Sequence, residues 1–143
     1  MAGSFSDTAE TAILNAVFRA QAWANMLDNA ASSPATTFDI SLHTAAGADG
    51  DAHNANETTY TGYARVSIGR TTGAWNAPSS GLIDNVAAIT FGACTSGTPT
   101  IQSFKIIRGA TEVIAWGDLT ASLAVSPGIT PQFAAGALDI TLT

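Results

Sequence analysis

The stretch LTASLAVSPGITPQFAAGALDITLT, residues 119–143, decides the fold class of this chain. From Leu119 to Val125 apolar residues occupy every odd position, and from Leu138 to Leu142 they occupy every even one. A period of two, with small polar residues on the opposite face, is typical of half-buried antiparallel strands. We therefore predict two strands joined by the intervening Pro/Gly turn, with no reactive side chain on either face.

The same pattern recurs in short segments along the rest of the chain. Short and evenly spaced strands with turn residues between them favour a β-sandwich over βαβ units. We expect a mainly β fold, an antiparallel and jelly-roll-like β-sandwich with one N-terminal helix, forming a single domain over residues 1–143. The predicted strands are 38–43, 59–69, 83–91, 100–107, 111–116, 119–125 and 137–142.

One helix is predicted, over residues 7 to about 28. Asp7 is expected to cap it, because Glu10 three residues later completes a variant of the capping box. The last turns carry a second apolar cluster that includes Trp23 and Met26. Packing on the domain's own sheet is the favoured role of this cluster, and an anchor to a neighbouring chain is the alternative.

Charged residues are scarce, at 11% of the chain, and the net charge is −6. A surface of small neutral side chains suits permanent contact with other protein; an Ala/Thr-rich secreted or viral β domain is the alternative. The five basic residues are scattered, so no nucleic-acid partner is expected. No apolar run approaches a membrane span and no secretory signal is visible, so we expect synthesis in the cytoplasm and no membrane partner.

Ligand-type side chains cluster in one loop, DGDAHNANE, residues 49–57. Asp49, Asp51 and Glu57 carry the carboxylate oxygens that Ca²⁺ prefers, and His53 offers a nitrogen to a softer metal. The spacing is not that of an EF-hand, and flexible surface loops are commonly built from the same residues. We therefore predict neither a metal site nor a cofactor.

No catalytic motif is visible in the chain. Its two histidines, His43 and His53, lie outside any nucleophile-elbow context, and His43 is expected on the solvent side of its strand. The single cysteine, Cys94, is expected to be a buried or half-buried thiol. A carboxylate pair of the glycosidase kind depends on spatial proximity, which a sequence does not show. The prediction is a protein that is not an enzyme and has no catalytic residues.

Aromatic residues are the remaining candidates for intermolecular contact. Trp75, in a predicted loop, is the preferred interface residue. Trp75, Trp116 and the pair Tyr60 and Tyr63 are also candidates for a sugar-stacking surface, although core packing explains Trp116 more simply. The candidate interface residues are Trp23, Met26, Tyr60, Tyr63 and Trp75.

Three parts of the chain carry family motifs: SDTAETAILNAVF at 6–18, SLHTA at 41–45 followed by NE at 56–57 and YTGYARV at 60–66, and LAVSPGITPQFAAG at 123–136. Together they resemble a family of small tailed-phage virion proteins that are labelled tail fibre or structural protein. Residues 46–51, AGADGD, replace the Asp-Pro-Gly turn of the family pattern, so loop contacts are not carried over. The resemblance implies a component of the virion.

The sequence therefore favours a phage structural protein, made in the host cytoplasm and assembled in many copies. The first choice is a capsid decoration (cement) protein on the capsid surface, which binds and stabilises the lattice of the major capsid protein, in homotrimer clusters. The chain lacks the heptads and repeats of a fibre shaft, which favours this choice. The alternative is a tail or tail-fibre component that contacts the host surface, and a glycan-binding or lytic module is the third possibility.

Overall fold

The computed structural model describes residues 6–23 and 34–142, and this part of the chain is mainly β with one helix. The predicted class, antiparallel β with an N-terminal helix, is confirmed; the jelly-roll arrangement stays a prediction. No helix among the described residues has the length and apolar character that crossing a membrane requires. The elements are α1 (Asp7–Phe18), β1 (Thr37–His43), β2 (Val66–Gly69), β3 (Leu82–Ile83), β4 (Ile89–Thr90), β5 (Thr100–Arg108), β6 (Glu112–Ala124), β7 (Gln132–Phe133) and β8 (Ile140–Thr141).

The strands form one four-stranded sheet and two small pairs. The order in the larger sheet is β2-β1-β5-β6, and β1–β5 and β5–β6 are antiparallel. The small pairs are β3 with β8 and β4 with β7. The register between β1 and β5 sets Ser41 opposite Lys105 and His43 opposite Ser103, which places four polar side chains on one face of the sheet.

Contacts divide the chain into two compact units, and the expected single domain stays a prediction. The first unit comprises residues 1–36, 69–88 and 133–143, and the second comprises residues 37–68 and 89–132. In the described part of the first unit, the buried apolar side chains are Leu14, Phe18, Trp75, Ile83 and Leu138. Those of the second unit are Phe38, Ile40, Leu42, Tyr60, Ile89, Phe91, Cys94, Ile101, Phe104, Ile106, Ile107 and Val125.

The N-cap of the helix lies one residue before the predicted cap. Ser6 is the N-cap, with extended backbone, and its Oγ accepts a hydrogen bond from the backbone N–H of Ala9 at 3.3 Å. Asp7 already belongs to the helix, so its predicted role as the cap is wrong. Ser and Asp are equally good caps, and the sequence SD did not distinguish between them.

The helix also ends earlier than predicted, at Phe18. Ala20 has a positive φ of 55°, which ends the helical path. The guanidinium of Arg70 donates to the carbonyl oxygens of Ala16 and Val17, which have no partner inside the last turn. Residues 24–33 are outside the described residues; they include Met26 and the last part of the predicted helix, from 24 to about 28.

Trp75 lies in the core of the first unit. Its side chain is 0% exposed, its ring meets Phe18 edge to face at 4.7 Å between centroids, and its Nε1 donates to the Gly69 carbonyl at 3.1 Å. The sequence offered Trp75 as the preferred interface residue; its side chain is buried within this unit, and the interface role stays a prediction. An indole in a loop still removes its large apolar surface from water when its N–H finds a partner.

The C-terminal stretch does not form the predicted hairpin. Residues 112–124 are one strand, β6, which pairs with β5, whereas β8 pairs with β3. The predicted break is absent: Gly117 pairs with Phe104 in the ladder, and the Phe104 ring lies over it, 3.0 Å from where a Cβ would be. Alternation is confirmed at 138–142, but Leu123 is exposed, so the predicted buried face of 119–125 is wrong in part.

Two predicted strands are shorter than their patterns indicated. The segment 59–69 is regular only over Val66–Gly69, because Gly62 has a φ of 103° and interrupts the strand. The segment 83–91 is divided between β3 and β4, and the side chain of Asn85 bonds to backbone groups between them. Strands 37–43 and 100–108 agree with prediction within one residue.

Candidate functional site

The polar face of β1 and β5 is covered by residues 44–58, here termed the covering loop. Ser41, His43, Ser103 and Lys105 are each at most 1% exposed beneath it. The prediction that His43 faces solvent is therefore wrong. An alternating strand has polar residues on its second face whether that face meets water or a loop, so the pattern alone did not show the difference.

The buried polar side chains hold the covering loop through its backbone. His43, Ser103 and Lys105 each donate a hydrogen bond to an alanine carbonyl of the loop, which therefore needs no water as a partner, whereas Ser41 pairs with His43. Lys105 also has Asp51 of the loop as a counter-charge, with Nζ 3.6 Å from Oδ2. The donor–acceptor pairs, each at 2.7 Å, are His43 Nδ1 to Ala55, Ser103 Oγ to Ala45 and Lys105 Nζ to Ala52.

The bond to Ala55 places a proton on Nδ1 of His43, and burial determines the charge of the ring. Because the Ala55 carbonyl only accepts, Nδ1 carries a proton, and Nε2 accepts from the Ser41 hydroxyl at 2.8 Å. Burial lowers the pKa of His43, assisted by the positive charge of Lys105, so the ring is neutral near pH 7. This serine–histidine pair has no exposed surface at which to meet a substrate, and it acts as a structural link between strand and loop.

Glu57, at the end of the covering loop, is held by two side chains of the following segment. Its carboxylate accepts from Arg65 Nε and Nη2 at 2.8 and 2.6 Å and from the Tyr63 hydroxyl at 2.8 Å. Burial raises the pKa of Glu57, but the bonds from Arg65 and Tyr63 outweigh it and the net pKa is lowered. The backbone N–H of Leu42 donates to the Tyr63 hydroxyl, which connects this group to β1.

The acidic loop that the sequence singled out does not gather into a metal centre. Glu57 is engaged with Arg65, and Asp51 faces Lys105 and accepts from the backbone N–H of Ala48. Over residues 6–23 and 34–142, no three His, Cys, Asp or Glu side chains lie close enough to hold a metal ion. The absence of a metal from the function stays a prediction.

A surface groove of about 380 Å³ runs beside the covering loop within the second unit. It is lined by two segments, residues 57–61 and residues 96–99, here called its walls, and by Thr44. Five threonines, a serine and a tyrosine are among its ten lining residues, so we term it the threonine groove. Its surface is rich in hydroxyl groups and has one carboxylate, that of Glu57.

Comparison with known protein families supplies the identification. Residues 4–141 match the family model described as Podophage GP4 fiber I protein gp80. The chain belongs to this family. The match confirms the tailed-phage virion family that the short motifs indicated, and it makes the chain a structural protein of the virion. No curated protein sequence matches the chain.

The predicted interface residues of this fibre-family protein occupy different environments. Tyr60 is buried, with its hydroxyl bonded to the Gly92 carbonyl at 2.8 Å, and its ring meets that of Tyr63 at 5.4 Å between centroids. Burial raises the pKa of both tyrosines. Trp23 is half-buried and lines a second groove, on α1. With Trp75 in a core and Met26 outside the described residues, the interface role of all five stays a prediction.

Trp116 contrasts with Trp75. The sequence assigned Trp116 to the core, but the structure leaves it 40% exposed. It lies opposite Lys105 in the register, beside the covering loop. A Cβ at Gly47 would be 2.6 Å from the Trp116 ring, so only glycine lets the loop pass so close.

Cys94 is buried, as predicted.

Sequence reasoning gave no role to Arg65 and Lys105. Both are cations that hold the covering loop or its end; Arg65 lies in the family motif YTGYARV, which gave it no role of its own, and Lys105 lies in none of the quoted motifs. The lysine did leave a signal, because it stands in an otherwise largely apolar strand, IQSFKIIR. A buried lysine needs a hydrogen-bond acceptor, and for Lys105 the acceptors lie in the covering loop.

Proposed function

We propose that this protein is a fibre component of the virion, attached to the particle and exposed to the host surface. The observation that carries the proposal is the family match over residues 4–141, since the printed family name is that of a fibre protein of a podophage. The sequence ranked this function second, behind capsid decoration. Because the family is named for a fibre protein, we rank the fibre function first and capsid decoration second.

The proposed role is mechanical and needs no catalysis. Four large apolar side chains, Val86, Trp116, Leu123 and Ile129, are 37–40% exposed and provide apolar area for contact with neighbouring virion chains. Burial of such area contributes about 25 cal/mol per Å². The Ser41–His43 pair is enclosed by protein, which supports a function without chemistry at that pair.

Capsid decoration is the second candidate. The chain lacks the heptads and repeats of a fibre shaft, which favours a protein that docks on a lattice. In this function it would bind the major capsid protein, as homotrimer clusters on the capsid surface, and stabilise the assembled shell by mass action.

Copy number in purified particles tests the two functions against each other. Quantitative mass spectrometry would measure this chain relative to the major capsid protein. A fibre component gives a small number of copies, set by the symmetry of the tail or neck, whereas decoration gives hundreds.

Deletion of the chain from the phage gives an independent result. Particles without a fibre component should adsorb poorly to cells and keep their normal heat stability. Particles that adsorb normally but release DNA at a lower temperature would contradict the fibre function and support decoration.

A further inference from the structure

We infer that the threonine groove binds an uncharged sugar residue. The inference begins with the chemistry of its walls, where Thr59, Thr61 and Thr98 are exposed and present hydroxyl groups. No described residue engages these three hydroxyls in a hydrogen bond. A hydroxyl both donates and accepts, as do the hydroxyls of a sugar ring, so the two surfaces are chemically matched.

A buried hydroxyl at the groove lacks a partner. Thr58 is 3% exposed, and its Oγ1 has no hydrogen-bond partner within the described part of the chain. Buried polar atoms without partners are rare in folded proteins because they lose hydration without compensation. Because this atom is enclosed by protein, the hydroxyls that a ligand in the groove meets are the exposed ones of Thr59, Thr61 and Thr98.

The charge of the groove selects the kind of sugar. Glu57 is its only charged lining residue, and both carboxylate oxygens are already bonded by Arg65. The chain as a whole has a net charge of −6, which repels anionic ligands. A neutral sugar therefore fits better than a uronic or sialic acid.

The walls of the groove are formed before any ligand enters. Thr61 and Ser96 form an antiparallel bridge, with the Thr61 N–H donating to the Ser96 carbonyl at 2.9 Å. Gly97 has a φ of 109°, and a Cβ there would lie 3.3 Å from the Tyr60 side chain, so glycine brings one wall against the other. Pre-organised walls reduce the entropy lost on binding.

The size of the groove is also suitable. Its volume of about 380 Å³ lies within the range of roughly 300–1,000 Å³ that is usual for small-molecule sites. The biological meaning of the site rests on the proposed function, since a fibre on the outside of the particle brings the groove to the carbohydrates of a cell surface.

Titration of the full chain by ¹H–¹⁵N NMR tests the inference. The probes are D-glucose, D-galactose, D-mannose, L-rhamnose and N-acetyl-D-glucosamine, with D-glucuronic acid and N-acetylneuraminic acid as anionic comparators. We expect at least one neutral sugar to shift the amide resonances of residues 58–61 and 96–98. If no neutral sugar shifts them, if the shifts lie elsewhere, or if the anionic sugars bind as well, the inference is overturned.

Substitutions test whether the exposed threonines of the groove contribute to sugar affinity. The double variant Thr59→Val/Thr98→Val keeps the side-chain shape and removes two exposed hydroxyls, and we expect the Kd to rise about tenfold. Thr120→Val, at an exposed position on β6 outside the groove, is the matched control and should leave the Kd unchanged. Equal affinities for the double variant and the control would overturn the site.

Competition with whole particles separates a cell-surface ligand from a free sugar. The neutral sugar that binds best should reduce adsorption of virions to host cells at saturating concentration, and undiminished adsorption would overturn the cell-surface role. Failure of the sugar titration leaves the fibre function standing, because copy number measures that function independently.

Discussion

The two units of the molecule are stabilised internally by different means. The second unit has long strands of seven, nine and thirteen residues, whose ladder bonds are supplemented by polar side chains beneath the covering loop. In the first unit the strand pair β3–β8 is only two residues long. There, individual side chains bond to backbone groups, chiefly Asn85 and Arg70. Regular strand pairing stabilises the second unit, and a few specific side chains stabilise the first.

This difference determines which substitutions each unit tolerates. A ladder of many backbone bonds distributes stability, so a single exposed side chain on it matters little. A unit that depends on a few side chains is sensitive to the loss of any one of them. The predictions below compare positions of similar chemistry in the two units, or within one unit.

The largest expected difference is between two tryptophans. Trp75→Ala removes a side chain that is fully buried in the first unit, and we expect a loss of about 3–5 kcal/mol in the free energy of unfolding. Trp116→Ala removes a side chain that is 40% exposed and lies against Gly47 of the covering loop, and it should cost about 1–2 kcal/mol. Urea denaturation followed by circular dichroism measures both, and equal losses would contradict the assigned environments.

Asn85 is expected to give the next largest effect. Its Nδ2 donates to the carbonyls of Ala87 and Ala134, and its Oδ1 accepts from the N–H groups of Ala137 and Leu138. Asn85→Ala leaves four backbone groups without this partner, so we expect a loss of about 3 kcal/mol. Asn76→Ala, an exposed residue with one side-chain bond to Asp84, is the control and should cost about 0.5 kcal/mol.

Two carboxylates of the second unit sharpen the comparison between buried and exposed ion pairs. Glu57→Gln removes the charge that Arg65 and Tyr63 surround, and we expect a loss of about 1–2 kcal/mol. Glu112→Gln breaks the ion pair with Arg108, of which both members are more than half exposed, and should change stability by less than about 0.5 kcal/mol. High salt should weaken the Glu112 effect more than the Glu57 effect.

The pH dependence of stability is the smallest predicted effect. The folded state lowers the pKa of His43 below its usual 6.5, so stability is fully present above pH 6.5 and falls as the pH drops towards the folded pKa. Each such group contributes a slope of at most about 1.4 kcal/mol per pH unit. His43→Gln should remove the fall in the free energy of unfolding just below pH 6.5. The further fall below pH 4.5, which arises from Glu57, should remain; urea denaturation at a series of pH values measures both.

Sequence patterns predicted the regular parts of the fold and missed the specific ones. Strands 37–43 and 100–108 follow from alternation because a pleated strand imposes that period wherever one face is buried. His43 was misplaced because its burial depends on the following loop folding back over the strand, which the alternation of the strand does not show. The family was accessible from short motifs at 6–18, 41–66 and 123–136, whereas the groove depends on segments 57–61 and 96–99 meeting in space.

Cryo-electron microscopy of the intact virion tests the central claim most directly, that this chain is a fibre component. The fold described above, with β6 at the edge of its sheet and the covering loop beside it, should fit density in fibres that project from the particle. Fitting the chain into density that covers the capsid lattice between capsomers would contradict the account.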